Sequence, residues 1–480
     1  MSSRRTHAGL PACLGHLPRL AATILAFAIL VAAVVPARAA DDNDKVSKDG
    51  VPEDSLAKSF PKEADPGGYR KALAERGITY GLGYIGEWES NVSGGLKRGS
   101  IYVGQLKATV DADLEKLAGL TGLTFHADGF QIHGRGLTDE FVGSLMTVSS
   151  IEALATTRLW ELWLEQKLVA NTVSVRFGQL AADTEFFFSV YGYNLLADTW
   201  GWPVIDDEDL PSGGPAYPFA TPGVRIKVDP SKDTSMLLAI FNGDPAGPGP
   251  GDPQTRNRHG TNFRIQDPPL VIGELQLRAN QDKDAKGLAS WLKLGGWYHF
   301  GSFDDQRLSA SGQSLADPNL EGGPLRRRGN YGLYALVDQQ IWRPKGGDAE
   351  KGIGVFARIS ASPSDRNLLD LYIDGGVVFA GLVPGRPDDI LALGGAYTRI
   401  SDSTRDLDRD VRALTGEGLV RTFEAVLEAN YKWQIMSGWE LDLDVQHYFN
   451  PGGHVALSEE LPGRAIPDAT VLTLHTELKY

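Results

Sequence analysis

Sixteen stretches of this chain alternate apolar and polar residues with period two, and the connections between them sort by length, short against long. The alternation is plain in FEAVLEANYKWQI (423–435). Phe423, Ala425, Leu427, Tyr431 and Trp433 fall on one side, and Glu424, Glu428, Asn430, Lys432 and Gln434 on the other. Half-buried strands read this way. The stretches start near residues 78, 100, 122, 158, 172, 223, 235, 270, 288, 329, 353, 371, 390, 422, 439 and 470. Connections such as VAN (169–171), DPSKDT (229–234) and MSG (436–438) alternate with 134–157, 181–222, 243–269, 302–328 and 450–469. A soluble sandwich has no reason to sort its loops by parity. A membrane barrel does, with short periplasmic turns and long outer loops.

Dimensions agree. Trp439 and Phe449 bracket one stretch, ten steps apart, or roughly 33 Å at about 3.3 Å per residue. Tilted by about 40°, that strand spans the roughly 25 Å apolar band of an outer-membrane barrel. The last eleven residues, TVLTLHTELKY, are themselves amphipathic and end on an aromatic. A final strand with nothing after it is an exposed edge unless it pairs with the first. The expected fold is therefore all-β: one transmembrane antiparallel barrel of about sixteen strands. Leu472, Leu474, Leu478 and Tyr480 are expected to face lipid.

The first residues fit export. Arg4 and Arg5 precede an apolar run from Leu20 to Val35, followed by Ala37-Arg38-Ala39, a small-x-small cleavage pattern. The expected division is a signal peptide over 1–39, a leader with a short helix over 40–77, and the barrel over 78–480. The one cysteine, Cys13, leaves with the peptide, so no disulfide can hold the rest. The formal charge is −14 and becomes more negative once Arg4, Arg5, Arg19 and Arg38 are removed. That balance argues against a nucleic-acid partner. Beyond the peptide no stretch reaches the roughly 18 apolar residues of a membrane helix.

Few motifs suggest chemistry. GLGYIG (81–86) matches the dinucleotide fingerprint, but that fingerprint must follow a strand and open a helix, whereas this copy lies within a strand. No H-E-x-x-H, G-x-S-x-G or close His/Cys/carboxylate cluster occurs, so neither a metal nor a cofactor is expected. The polar side of the strands is more informative. TRLWELWLEQ sets Glu161, Trp163 and Glu165 on one face, just after Arg158. Arg176 follows in SVRFGQ, Arg225 and Lys227 in VRIKV, and Glu274, Gln276 and Arg278 in GELQLR. Carboxylates and guanidinium forks can bond paired hydroxyls, and indoles can stack on a sugar ring. The plainer alternative is a hydrated, charged lumen without preference.

The longest connection, 181–222, carries Asp183, Glu185 and the aromatic run FFFSVYGYNLLADTWGW (186–202). So many exposed aromatics would exceed the apolar patches that surfaces tolerate. This third outer loop is expected to fold into the barrel, with Asp183, Glu185 and Asp198 facing Arg176, Arg225 and Lys227.

Longer stretches then carry a resemblance. NVSGGLKRG, TFHADGFQIHGRG, ATTRLWELWLEQ, FGQLAADTEFF, DLPSGGPAYPFATPGVR, FNGDPAGPG, RNRHGTNFR and YFNPGG resemble landmark segments of the OprB-type carbohydrate-selective porins, over about 70–480. The resemblance implies a sixteen-stranded outer-membrane barrel passing glucose and related sugars, not an enzyme. It also implies a charged eyelet near the third loop, with Glu161, Glu165, Arg176, Asp183 and Glu185 on the matching segments. The expected partners are small sugars, outer-membrane lipid, the export and assembly machinery, and further copies of the chain. Three rivals stay open: a general porin of the same fold, an outer-membrane enzyme barrel, and a soluble secreted β protein.

Overall fold

The computed structural model describes residues 50–52, 54–60, 65–282, 285–345, 350–458 and 460–480. The signal peptide and the start of the leader lie outside the described residues. Sixteen strands form: β1 (Ile78–Ser93), β2 (Gly99–Asp113), β3 (Leu123–Gly134), β4 (Thr156–Leu168), β5 (Val173–Leu180), β6 (Thr221–Ser231), β7 (Thr234–Asn242) and β8 (Pro269–Ala279). Then follow β9 (Ser290–Ser309), β10 (Pro324–Trp342), β11 (Gly352–Ala361), β12 (Leu369–Ala380), β13 (Ile390–Ile400), β14 (Phe423–Met436), β15 (Trp439–Phe449) and β16 (Ala469–Lys479). Each pairs antiparallel with its sequence neighbours, and β16 closes the ring on β1. Tyr480 completes the seam: its N–H donates to the Leu82 carbonyl at 2.7 Å, and Leu82 N–H donates back at 2.9 Å. No helix among the described residues is long and apolar enough to cross a membrane.

Period two sorts the two faces as the sequence predicts. Leu472 and Leu474 on β16, Leu443 and Val445 on β15, and Leu427 and Trp433 on β14 are exposed on the outside. Their alternates, among them Thr473, His475, Asp442, Asp444, Glu424 and Glu428, are buried inside. Gly81, Gly83 and Gly86 lie within β1, as wall residues rather than a nucleotide loop. One expected connection is shorter than the sequence implies: β9 and β10 continue to Ser309 and from Pro324, pairing beyond the apolar band.

The periplasmic end holds a further contact. The helix Tyr69–Glu75 carries Arg70, whose guanidinium lies 4.3 Å from the Tyr80 ring centroid and 4.7 Å from that of Tyr480. Its Nη1 donates to the Gly50 carbonyl at 3.0 Å and the Tyr80 carbonyl at 3.2 Å. The half-exposed ring of Tyr480, expected to face lipid, thus also holds a cation–π contact with the leader.

Candidate functional site

The third outer loop, 181–220, crosses the barrel. It leaves β5 and reaches walls as distant as β14, held by polar groups that alternate inward on those strands. Phe187 N–H donates to Glu274 of β8 (3.1 Å), Ser189 Oγ to Asp338 of β10 (2.5 Å), and Trp200 Nε1 to Glu428 of β14 (2.6 Å). Arg358 of β11 donates to the Phe187 and Thr199 carbonyls at 3.0 and 2.7 Å. Wall glycines make room. A Cβ on Gly354 would sit 2.2 Å from the Tyr191 ring, and one on Gly394 would sit 2.5 Å from Leu195 Cδ1.

A second loop, 135–155, also turns inward, which period-two reading had no means of detecting. Glu424 accepts from the Leu145, Met146 and Gly452 amides at 2.7–2.8 Å, and Gln446 Nε2 donates to the Val148 carbonyl at 3.0 Å. The two loops touch where Ser150 N–H donates to the Leu196 carbonyl (3.0 Å) and Asp198 N–H to the Thr147 carbonyl (3.2 Å).

Where the third loop leaves β5, four charged side chains interlock. Register sets Arg176 of β5 between Glu165 of β4 and Arg225 of β6. Arg176 pairs with Glu165 at 3.0 Å and with Glu185 of the loop at 2.6 Å. Arg225 reaches the same two carboxylates, each at 2.6 Å, and donates to Ser174 Oγ at 2.7 Å. Burial works against ionisation of Glu185, and the two guanidinium groups outweigh it, holding its carboxyl at about 2. Arg225 is nearly sealed, with 4% of its side chain exposed, while Arg176 keeps 18% in the lumen.

Trp163 lies beneath Arg176, its ring centroid 3.8 Å from the guanidinium carbon, and His126 stacks on it at 4.6 Å. Two groups so close to one ring must take opposite faces. Trp163 therefore has no free face for a sugar, contrary to the stacking expected of it; it braces Arg176. On the third loop, Tyr193 is an open aromatic, 69% exposed.

The remaining residues singled out from sequence separate. Arg158 points inward but lies under the loop 243–268, donating to the Asn257 carbonyl at 3.2 Å beside the Phe219 ring, away from the ionic cluster. Glu161 accepts from Ala181 N–H at 2.9 Å. A register shift in the β3–β4 pairing puts Trp160 and Glu161 side by side in the interior, which strict alternation forbids. Lys227 lies 3.8 Å from Asp229. Asp183 accepts from Tyr217 N–H at 2.9 Å, and burial pushes its carboxyl to about 7. Asp198 meets no basic wall residue; its charged neighbours are Asp207, Asp183 and Glu152. The expected field from loop acids to wall cations is thus replaced, at Glu185, by direct pairing.

Among the described residues two groups bring three metal-type ligands together: His126, Asp128 and Glu161, and Glu440, His475 and Glu477. A lysine already serves each. Lys107 lies 3.0 Å from Asp128, and Lys432 and Lys479 lie 3.0 and 3.1 Å from Glu440 and Glu477.

Comparison with known proteins places this geometry. Residues 97–480 match the model of the carbohydrate-selective porin, OprB family. The chain belongs to that family. Porin B of Pseudomonas aeruginosa is 26% identical over 368 residues, covering 73% of this chain and 76% of that relative. The high-pH structure of Pseudomonas putida OprB superposes with a TM-score of 0.75 at 20% identity, over 86% of this chain and 97% of the other. The low-pH structure of the same protein gives 0.51 at 15% identity, over 91% and 100%. Family and closed barrel together make this an outer-membrane channel of the carbohydrate-selective porin type rather than an enzyme.

Proposed function

We propose that the channel passes small neutral carbohydrates such as glucose by passive, saturable diffusion, and that Arg176 is its principal sugar contact. The observation that carries this reading is the cluster of Arg176, Arg225, Glu165 and Glu185 at the root of the inward loop. Two arginines and two carboxylates cancel, so the site offers hydrogen-bonding capacity without net charge. A neutral polyol gives up water there for charge-assisted bonds, while an ion gains no net attraction. Arg176 is fixed on Trp163 and between two carboxylates, so little side-chain entropy is lost when a hydroxyl docks. Lys107 and Lys227, with 37% and 27% of their side chains exposed, and Tyr193 supply further contacts along the same wall and loop. Removal of residues 1–39 and assembly into oligomers remain part of the proposal.

A general porin of the same fold is the rival. Liposome swelling with glucose against a neutral amino acid of similar size separates them. Faster glucose entry, together with ion current that glucose blocks to saturation, is the expected result. Equal entry and unblocked current would sink the sugar reading.

A further inference from the structure

Leucines such as Leu333 on β10, Leu427 on β14 and Leu443 on β15 make the outward face of the barrel apolar. The sector over β1–β3 departs from this. From the outer end, the outward positions of β2 run Ser100, Tyr102, Gly104, and those of β3 run His133, Gln131, Gly129. The phenols of Tyr102 and of Tyr84 on β1 share a hydrogen bond. Tyr84 Oη lies 3.3 Å from His133 Nε2, and His133 Nδ1 lies 3.1 Å from Gln131 Oε1. The Ser90 and Ser100 hydroxyls pair at 2.9 Å. Glycines form the floor: a Cβ on Gly86 would sit 2.5 Å from the Tyr102 hydroxyl, and one on Gly104 would sit 2.5 Å from His133 Nε2. His133 stands ten residues from Leu123, the periplasmic start of β3, or about 25 Å along the membrane normal at a tilt of about 40°. These polar heads therefore lie at the outer boundary of the apolar band.

Cations crown the same sector. By parity Arg98 continues the outward column of β2 and Arg135 that of β3, with Lys97 beside them, and all three are exposed. Lys97 and Arg135 share one carboxylate, Glu140, each at a long 3.4 Å. Both also flank the Phe141 ring, at 4.5 and 5.5 Å from its centroid. Arg98 pairs with no carboxylate among the described residues. Asp139 of the same turn acts inward instead, on Glu152 and Glu208 of the inward loops. The acid of the neighbouring rim, Asp468, accepts from Asn450 N–H at 2.9 Å, toward β15. Three cations against one shared carboxylate leave this rim positive, on a chain whose formal charge is −14.

We propose that this sector binds a phosphorylated glycolipid of the outer leaflet. Its phosphates lie on Lys97, Arg98 and Arg135, its ester or amide linkages on Tyr102, His133 and Gln131, and its acyl chains on the apolar wall below. From the rim downward the wall offers cations, then hydrogen-bonding heads, then small and apolar residues. Such a lipid follows the same order from phosphate to hydrocarbon. Guanidinium forks match phosphate oxygens, and basic segments beside a bilayer draw anionic headgroups. A second copy fits this patch poorly, because a two-fold contact through it would set each cation against its like. The Leu96 and Lys97 amides both donate to the Phe141 carbonyl, at 2.8 and 3.1 Å, so the turn that carries the lipid also holds the root of the second inward loop.

The test uses the mature chain refolded in detergent, with deep-rough lipopolysaccharide as the probe and native mass spectrometry as the readout. The wild type should retain the lipid through gel filtration, and Lys97→Gln/Arg98→Gln/Arg135→Gln should bind it about tenfold or more weakly. Arg326→Gln/Arg328→Gln, which removes two exposed arginines from the rim of β10, should bind as the wild type does. Lipopolysaccharide stripped of its phosphates should bind the wild type as weakly as the intact lipid binds the triple variant. Inorganic phosphate at equal phosphate concentration should not displace the lipid. Equal retention by wild type and triple variant overturns the proposal, as does an equal loss in the β10 variant or displacement by inorganic phosphate. Lipid-free self-association that the triple variant abolishes would assign the patch to a second copy and overturn it too. If the triple variant does not refold, Arg98→Gln alone must weaken retention, and unchanged retention by it decides against the proposal.

Discussion

Arg176 and Arg225 face each other on adjacent strands and share two carboxylates, yet only Arg176 reaches the lumen. Losing one charge-assisted hydrogen bond costs about 1.5–3 kcal/mol, so Arg176→Ala should weaken glucose block of ion current by about tenfold or more, with the barrel intact. Unchanged block would place Arg176 outside the sugar path. Arg225→Ala instead leaves two buried carboxylates short of a partner, a loss of about 3–5 kcal/mol, and should loosen the loop root. Proton linkage follows from the loop acids. The Glu185 carboxyl lies at about 2, below its ordinary value, so its contribution is present above roughly pH 4.3 and fades as pH falls toward 2. Asp183 and Glu152, raised by burial to about 7, behave oppositely: their ionisation costs loop stability as pH rises through 7. Reversal potentials in a salt gradient should therefore show cation selectivity growing between about pH 6 and pH 8. A flat profile over that range would contradict the placement of these acids.

At the scale of elements, the third loop is held by wall groups rather than by its own fold. Glu428 alone takes three donors from it. Glu428→Ala strands those donors, at about 1–3 kcal/mol each if they stay dry, and should raise single-channel conductance together with current noise. Gly394→Leu tests the same docking by shape, since even a Cβ there collides with Leu195 and comes within 2.9 Å of Trp200. Wild-type conductance in both variants would mean that the loop does not narrow the pore. The second loop closes from the other side through Glu424, so deleting 188–200 should open the channel only in part.

Across the whole molecule, stability rests on closure. No edge remains once β16 meets β1, and the leader locks that seam from the periplasmic end through Arg70, Tyr80 and Tyr480. Tyr480→Asp removes an aromatic from the closing strand and sets a carboxylate beside Arg70. We expect markedly less heat-modifiable barrel on gels from this variant, and a smaller loss from Arg70→Ala. Wild-type yields from Tyr480→Asp would show that closure does not depend on the terminal ring.

What the sequence determined by itself was the barrel: strand number, the lipid and lumen faces, the closing pair and the inward third loop. The strands, their faces and the closing pair follow from period two and loop parity, and the inward loop from its aromatic run; all are local properties of the chain and need no knowledge of distant contacts. Fifteen of the sixteen strand starts fall within two residues of their predicted positions, and β10 begins five earlier, at Pro324, because its pairing with β9 extends past the membrane. Only tertiary structure decided which inward groups meet. Strict alternation paired Glu161 with Trp163 and Glu165, and a register shift moved Trp160 beside it. Arg158 and Asp198 looked as eligible as Arg176 and Glu185 until loops from elsewhere in the chain covered the one and turned the other away. Glu424 and Glu428 read as ordinary polar-face charges, and became loop anchors because backbone amides far along the chain came within reach. A side chain's face is set by its own strand, whereas its partner is set by which strands and loops the closed ring brings opposite it.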